Sequence, residues 1–336
     1  MKTPILFLSM AFTTASFAEQ MPEPNPPFVI KHQLNQRITQ QQTSKSKPKE
    51  WIFHKTADGR HPSNKEQSMV WLMNRARQNP SAEGVFLANT GDSDVENAIN
   101  YFHVDIDKLQ AEFAEYAPHP PAAFDVRLYK AALAHSKDLI VRDAQDHNNQ
   151  FDRINNAGFN YMAARGSVFS YAESALYGHA GFNIDWGNEA DGMQTGRGHR
   201  SAIMSLDVDY YSNVGIAILS DNDPNTNVGP LVVTGNYAQA NDNTPNHYNR
   251  FIVGTVWRDK NNNSMYDIGE GLGNVQVRPH GGTYWAKTAQ SGGYAIPITS
   301  AGSYSVSFSG GQLKTKQTLS VAVADDSILM DLKLTQ

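Results

Sequence analysis

The chain has 336 residues, 40% of them hydrophobic, and a formal charge of −5 with no long run of one sign. That length suggests two folded units, and the want of a clustered basic face argues against nucleic acid as a partner. There is no cysteine, so disulfide stapling and thiol catalysis are both excluded.

Residues 1–18 read as a cleavable secretory signal: Lys2 supplies the basic start, residues 4–12 the apolar core, and Ser16-Phe17-Ala18 the small residues of a cleavage site. The apolar run is too short to span a bilayer, and no later segment is long or apolar enough, so no transmembrane segment is expected. The chain is expected to be secreted or periplasmic. Residues 19–50 are rich in Gln, Pro, Lys, Ser and Thr without periodic apolar residues, the composition of a disordered tether.

Ser63-Asn64-Lys65-Glu66 is a capping box, and Met69, Leu72, Met73 and Ala76 follow on one helical face, with a stop by Pro80. Ser93-Asp94-Val95-Glu96 reads as a second box. Val95, Ile99, Phe102, Ile106, Leu109 and Phe113 then recur at helical spacing until Pro118, Pro120 and Pro121. Asp125 can cap a third helix with a buried stripe of Leu128, Ala131, Ala132, His135 and Leu139, where His135 is expected to be a hydrogen-bonded core histidine. His147 falls in the loop beyond it. Residues 152–156 suggest a short helix closed by Ala157-Gly158, and residues 169–178 a further helix. Residues 179–218 carry Asp185-Trp186-Gly187 and Gly198-His199-Arg200 ahead of Val214-Gly215-Ile216, the make-up of a loop that walls a cleft beside a core strand. Strands are expected over 214–219 and 231–237. Helices followed by strands with long loops between them give an α+β unit over residues 51–240.

The order and spacing of these pieces resemble the CAP superfamily (cysteine-rich secretory proteins, antigen 5 and pathogenesis-related proteins) in a cysteine-free bacterial form. The carrying residues are Met73-Asn74-Arg75-Ala76-Arg77, the run from Leu128 to Asp138, His147, the run from Phe151 to Phe159, Asp185-Trp186-Gly187, Gly198-His199-Arg200 and Val214-Gly215-Ile216. The resemblance implies a three-layer α-β-α sandwich with a cleft lined by two histidines and two acids. His147 and His199 match the histidines, Asp185 falls near the second acid, and Ser167 stands where the first acid would be. Losing that carboxylate predicts weak zinc binding at most, tightened by Ser167→Glu. The histidines read equally as a hydrogen-bonded structural pair.

Residues 241–250 are a polar linker, expected to be protease-sensitive and to release two separately folded pieces. Residues 251–336 alternate apolar and polar residues between Gly-Gly turns, the pattern of a small Ig-like β-sandwich. This unit resembles calcium-binding B-type and carboxypeptidase-regulatory-like modules. Its distinctive stretch runs from Asp259 to Glu270. Asp259, Asn261, Asn263, Asp267 and Glu270 stand at loop positions one, three, five, nine and twelve, with a Met265 carbonyl at seven, the oxygen spacing of a calcium loop. Ser264 replaces the usual glycine at position six, and a polar hairpin without an ion is the other reading. Three functions follow: an exported binding protein for an extracellular or envelope lipid, glycan or protein; a metal-assisted hydrolase of envelope peptide or glycan using His147 and His199; or a structural spacer.

Overall fold

The computed structural model describes residues 47–207 and 210–335, and residues 25–31 as backbone. The expected signal at 1–18 lies outside the described residues, as does most of the expected tether. Two parts of that tether are strands: β1 (Asn25–Lys31) and β2 (Lys49–Glu50). Apolar periodicity gave no sign of either, because a strand added at a sheet edge is held by its backbone ladder.

α1 (Asn64–Gln78) starts at the expected box, with Ser63 Oγ accepting from Glu66 N and Glu66 Oε2 accepting from Ser63 N. Asn79 ends it and at once caps α2 (Pro80–Ala88), so Pro80 is a first helical residue as well as a stop. The long helix expected next is two, α3 (Ser93–Phe102) and α4 (Ile106–Glu115). His103 turns left-handed at φ 55° and Asp105 caps afresh, while the first cap is Asp92 rather than Ser93. β3 (Ala123–Phe124) leads into α5 (Val126–Arg142), capped by Asp125. His135 is buried on α5; its Nε2 donates to Asp146 O at 2.9 Å and its Nδ1 accepts from Arg153 at 3.1 Å.

After α6 (Gln150–Asn156) comes β4 (Tyr161–Ala172), which takes the first half of the helix expected over 169–178; α7 (Ala175–Ile184) begins only at Ser174, its cap. Residues 168–170 are buried on both faces, which erases the alternation that marks a strand, and pairing then overrides local preference. α8 (Gly198–Met204), β5 (Asn213–Ser220) and β6 (Leu231–Ala240) follow. The stretch read as a cleft-wall loop therefore carries most of α7 and all of α8.

The first sheet has the order β1-β4-β6-β5-β3, antiparallel except for β3 beside β5. Alternate residues of β6 separate its two faces. Thr234 bonds Ser136 of α5 at 2.8 Å and Asn236 donates to Leu128 O of α5 at 3.1 Å, whereas Val233 meets α7 at Gly178. α5 and α6 thus cover one face, and α1, α7 and α8 the other. Gly215 of β5 lies so close under α5 that a Cβ would stand 2.2 Å from the Leu128–Tyr129 peptide.

The C-terminal unit comprises β7 (Phe251–Arg258), β8 (Gln276–Pro279), β9 (Tyr284–Lys287), β10 (Gly293–Pro297), β11 (Gly302–Ser309), β12 (Gln317–Val323), β13 (Ile328–Leu329) and β14 (Leu332–Leu334). One sheet runs β10-β7-β13 with β14 also on β7; the other runs β12-β11-β8-β9-β2. Ile252, Val256, Tyr294 and Ile296 from the first meet Val277, Ala286, Val306 and Phe308 from the second in one core. The chain as a whole is α+β.

The linker at 241–250 is folded down rather than open. His247 is buried and accepts from Asn160 N at 2.8 Å, and the Asn249 carboxamide brackets both backbone groups of Ala240. The two units also share buried contacts. Trp71 and Leu72 of α1 pack with Trp257 and Tyr266, Gln67 donates to Thr255 Oγ1 at 2.9 Å, and Trp71 Nε1 donates to Asp331 at 2.9 Å. Independent pieces joined by an exposed tether, as the polar composition suggested, are not what this packing describes.

Candidate functional site

α7 ends at Asp185, which adopts the left-handed φ of 57° and turns its carboxylate toward the start of α8. Asp185 Oδ2 accepts from His199 N at 2.9 Å, and Oδ1 accepts from His199 Nδ1 at 2.7 Å. Both side chains are fully buried, and the imidazole stacks on Phe182 with ring centroids 5.4 Å apart. The carboxylate fixes the Nδ1–H tautomer and leaves the Nε2 lone pair without a hydrogen-bond partner among the described residues.

The other two predicted residues stand elsewhere. Ser167 is buried on β4, opposite Gly235 of β6, where the missing side chain makes room for the Tyr237 hydroxyl. Burial pushes the Tyr237 phenol well up, opposed in part by the Ser167 hydroxyl and by Arg77. His147 donates from Nδ1 to Gln150 Oε1 at 2.6 Å, and Gln150 lies against Gly166 and Asn236 on the face covered by α5 and α6. The two histidines therefore approach the sheet from opposite faces. Among the described residues, no three His, Asp or Glu side chains gather closely enough to hold a metal ion by themselves.

The open groove beside this site is built from residues that periodicity did not single out. It has a volume of about 850 Å³ between α4, residues 189–197 and the start of α8, and Glu112, Glu115, Glu189, Asp191 and Arg197 are on its walls. Arg197 pairs with Glu112 at 3.1 Å and with Asp191 at 2.6 Å, and the buried Arg200 also reaches Glu112. Burial works against ionising Glu112, but hydrogen bonds from Arg197 and Arg200 outweigh it and hold the carboxyl below its usual range. Asp191 is likewise brought down to about 2 against its burial, by Lys108 and Arg197. Gly192 shapes the near wall: its φ is +71°, and a Cβ there would stand 2.4 Å from Phe102 O. Arg197 and Arg200 flank the histidine of the Gly-His-Arg triplet and were legible to that extent; Glu112, from a distant helix, had no local signal.

The loop from Asp259 to Glu270 is ordered around its acids. Asp259 and Glu270 are buried. Asp259 accepts from the backbone of Asn263 and Ser264, and Glu270 from that of Lys260 and Asp267. The carboxamides of Asn261 and Asn263 both donate to Asp267 Oδ2, each at 2.8 Å. Turning those two amides over would put oxygens there instead, an all-oxygen set suited to a hard cation. Ser264 accepts the left-handed turn at φ 62°, and the Lys333 ammonium lies 3.8 Å from Asp259. Among the described residues no helix is long and apolar enough to cross a membrane. No family model and no curated protein matches this chain.

Proposed function

We propose that the chain is an exported binding protein of the CAP type, with a groove for an extracellular or envelope ligand and an Ig-like β unit stabilised by calcium. The observation that carries this reading is the groove walled by α4, residues 189–197 and α8, within the size range of ligand sites. Its walls are charged and cross-braced by Arg197, which favours a glycan or peptide over a lipid chain. Binding is favoured over hydrolysis because the Asp185–His199 pair is fully buried and His147 approaches from the other face of the sheet. Calcium would be held by Asp259, Asn261, Asn263, the Met265 carbonyl, Asp267 and Glu270, and would balance three acids in one short loop, of which Asp259 already has the Lys333 ammonium at 3.8 Å.

The test is calorimetric titration of the chain from residue 19 onward with envelope glycan fragments and peptides. Binding that Arg197→Ala abolishes supports the groove. Binding indifferent to Arg197→Ala and Glu189→Ala would overturn it. Turnover of those fragments by protein that retains stoichiometric transition metal, and that His147→Ala and His199→Ala silence, would establish the hydrolase instead.

A further inference from the structure

Among the described residues, β4 would be an edge strand but for β1. Its inner side pairs with β6 along nearly its whole length, while its outer side from Ala163 to Val168 is covered, among the described residues, by residues 25–31 alone. The ladder is antiparallel: Phe28, Val29, Ile30 and Lys31 face Gly166, Arg165, Ala164 and Ala163 in unbroken register. The register shifts between Asn25 and Phe28, where Pro26 and Pro27 have no N–H to give. Prolines at an irregularity on an outer strand are where sheets tolerate them, and they discourage pairing of a further chain beyond. β1 also runs close to α8, whose first carbonyl, Gly198 O, receives Arg165 Nη1 of β4 at 3.2 Å. The segment therefore lies at the seam between the sheet edge and the helix that carries His199.

A short antiparallel ladder on an otherwise bare edge is the geometry by which sheets bind extended peptides: backbone bonds supply affinity and alternate side chains supply selection. We propose that the outer edge of β4 is a strand-acceptor site for an extended, proline-led apolar peptide, and that residues 25–31 are its built-in occupant. This site is separate from the groove and does not depend on it. The ligand it selects has the pattern of the native cover, Pro-Pro followed by an aromatic and two β-branched residues. Release of that cover, by displacement or by cleavage in the connecting residues, exposes the acceptor.

The absence of cysteine makes the test clean. A locked form, Ile30→Cys with Ala164→Cys in the full chain, joins two residues that are Cα partners across the ladder, within disulfide reach. An opened form, Val29→Pro with Ile30→Pro, must break the ladder, since one of any two successive N–H groups faces β4. The probe is a fluorescein-labelled peptide with the sequence of residues 24–32, read by polarisation. The expected result is saturable binding to the opened form, none to the oxidised locked form, and recovery of wild-type behaviour when the locked form is reduced. An opened protein with native circular dichroism that fails to bind would overturn the proposal, as would equal binding to the locked form. Oxidation that yields only covalent dimers would overturn the built-in occupant, because the strand would then be exchanged between two copies.

Discussion

Asp331 sits where the two units meet, and Asp331→Asn reads out that junction through pH. Its Oδ2 accepts Trp71 Nε1–H from α1 at 2.9 Å and its Oδ1 accepts Thr255 N–H from β7 at 2.7 Å. Burial raises the carboxyl from 3.8 to about 6, outweighing both hydrogen bonds. A carboxyl whose folded pKa lies above its unfolded value favours the folded state most below the unfolded value and loses that contribution as pH rises through the folded one. Between 3.8 and about 6, then, Asp331 makes the protein less stable as pH increases. A shift of that size corresponds to at most about 3 kcal/mol, reduced to roughly 2 because the residue is only partly covered and water screens its charge. Asparagine keeps one acceptor for Trp71 or Thr255 and gives up the other bond, a loss of about 1 kcal/mol at every pH. Denaturant unfolding of both proteins from about pH 4 to about pH 8 should find the variant less stable at the acid end and at least as stable at the alkaline end. A stability difference that is flat across that range would refute the assignment of the shift to Asp331.

Calcium should raise the melting temperature over that in chelator, with about 2.7 kcal/mol gained at a hundredfold excess over Kd, and Glu270→Ala should abolish the gain. Lys333→Met should tighten calcium binding in a titration, because it removes the cation already 3.8 Å from Asp259. Gly192→Ala should cost at least about 1–3 kcal/mol by denaturation, since φ +71° is strained and the added Cβ meets Phe102 O. Ser167→Glu should destabilise by about 3 kcal/mol or more and leave zinc affinity unchanged in calorimetry, because the new carboxylate would be buried against Tyr237, on the opposite face of the sheet from His147. Limited proteolysis should spare residues 241–250, where His247 and Asn249 are tied down, and cut elsewhere first.

Much of the helical part of this fold was legible because capping chemistry is local. Ser63 with Glu66 and Asp125 each marked a start that the structure keeps. What misled was long-range. Val95 to Phe113 holds one apolar period across a break that only His103 and Asp105 impose, and two helices on the same core need not be one helix. β4 loses its alternation because helices cover both faces of its sheet. β1 has a short apolar run among polar and proline residues, and its partner lies more than a hundred residues away. Of the four residues named for the cleft, two meet in the fold. Asp185 and His199 are separated by a loop that returns on itself, so sequence proximity became contact. Ser167 and His147 were placed by resemblance, and neighbouring β-strand residues face opposite ways: Gly166 turns to Gln150 while Ser167 turns to Tyr237.

The C-terminal unit connects to the Asp185–His199 region through a run of polar contacts that starts half-buried and ends in the core. Met265 of the acidic loop receives Arg75 Nη1 of α1 at 3.3 Å. Arg75 Nη2 pairs with Glu83 of α2, and Glu83 Oε1 accepts from His179 Nε2 of α7 at 2.8 Å. Glu83 and His179 are both buried, so neither can lose its partner without leaving an uncompensated polar group in the core. α7 ends at Asp185, and Arg200 of α8 closes the run by donating to Asn183 O at 2.6 Å and pairing with Glu112 at the groove. Helices fastened end to end in this way keep one relative arrangement, because each alternative strands a charge. The acidic loop, the docked face of α1 and the groove wall are therefore joined through one connected set of polar contacts.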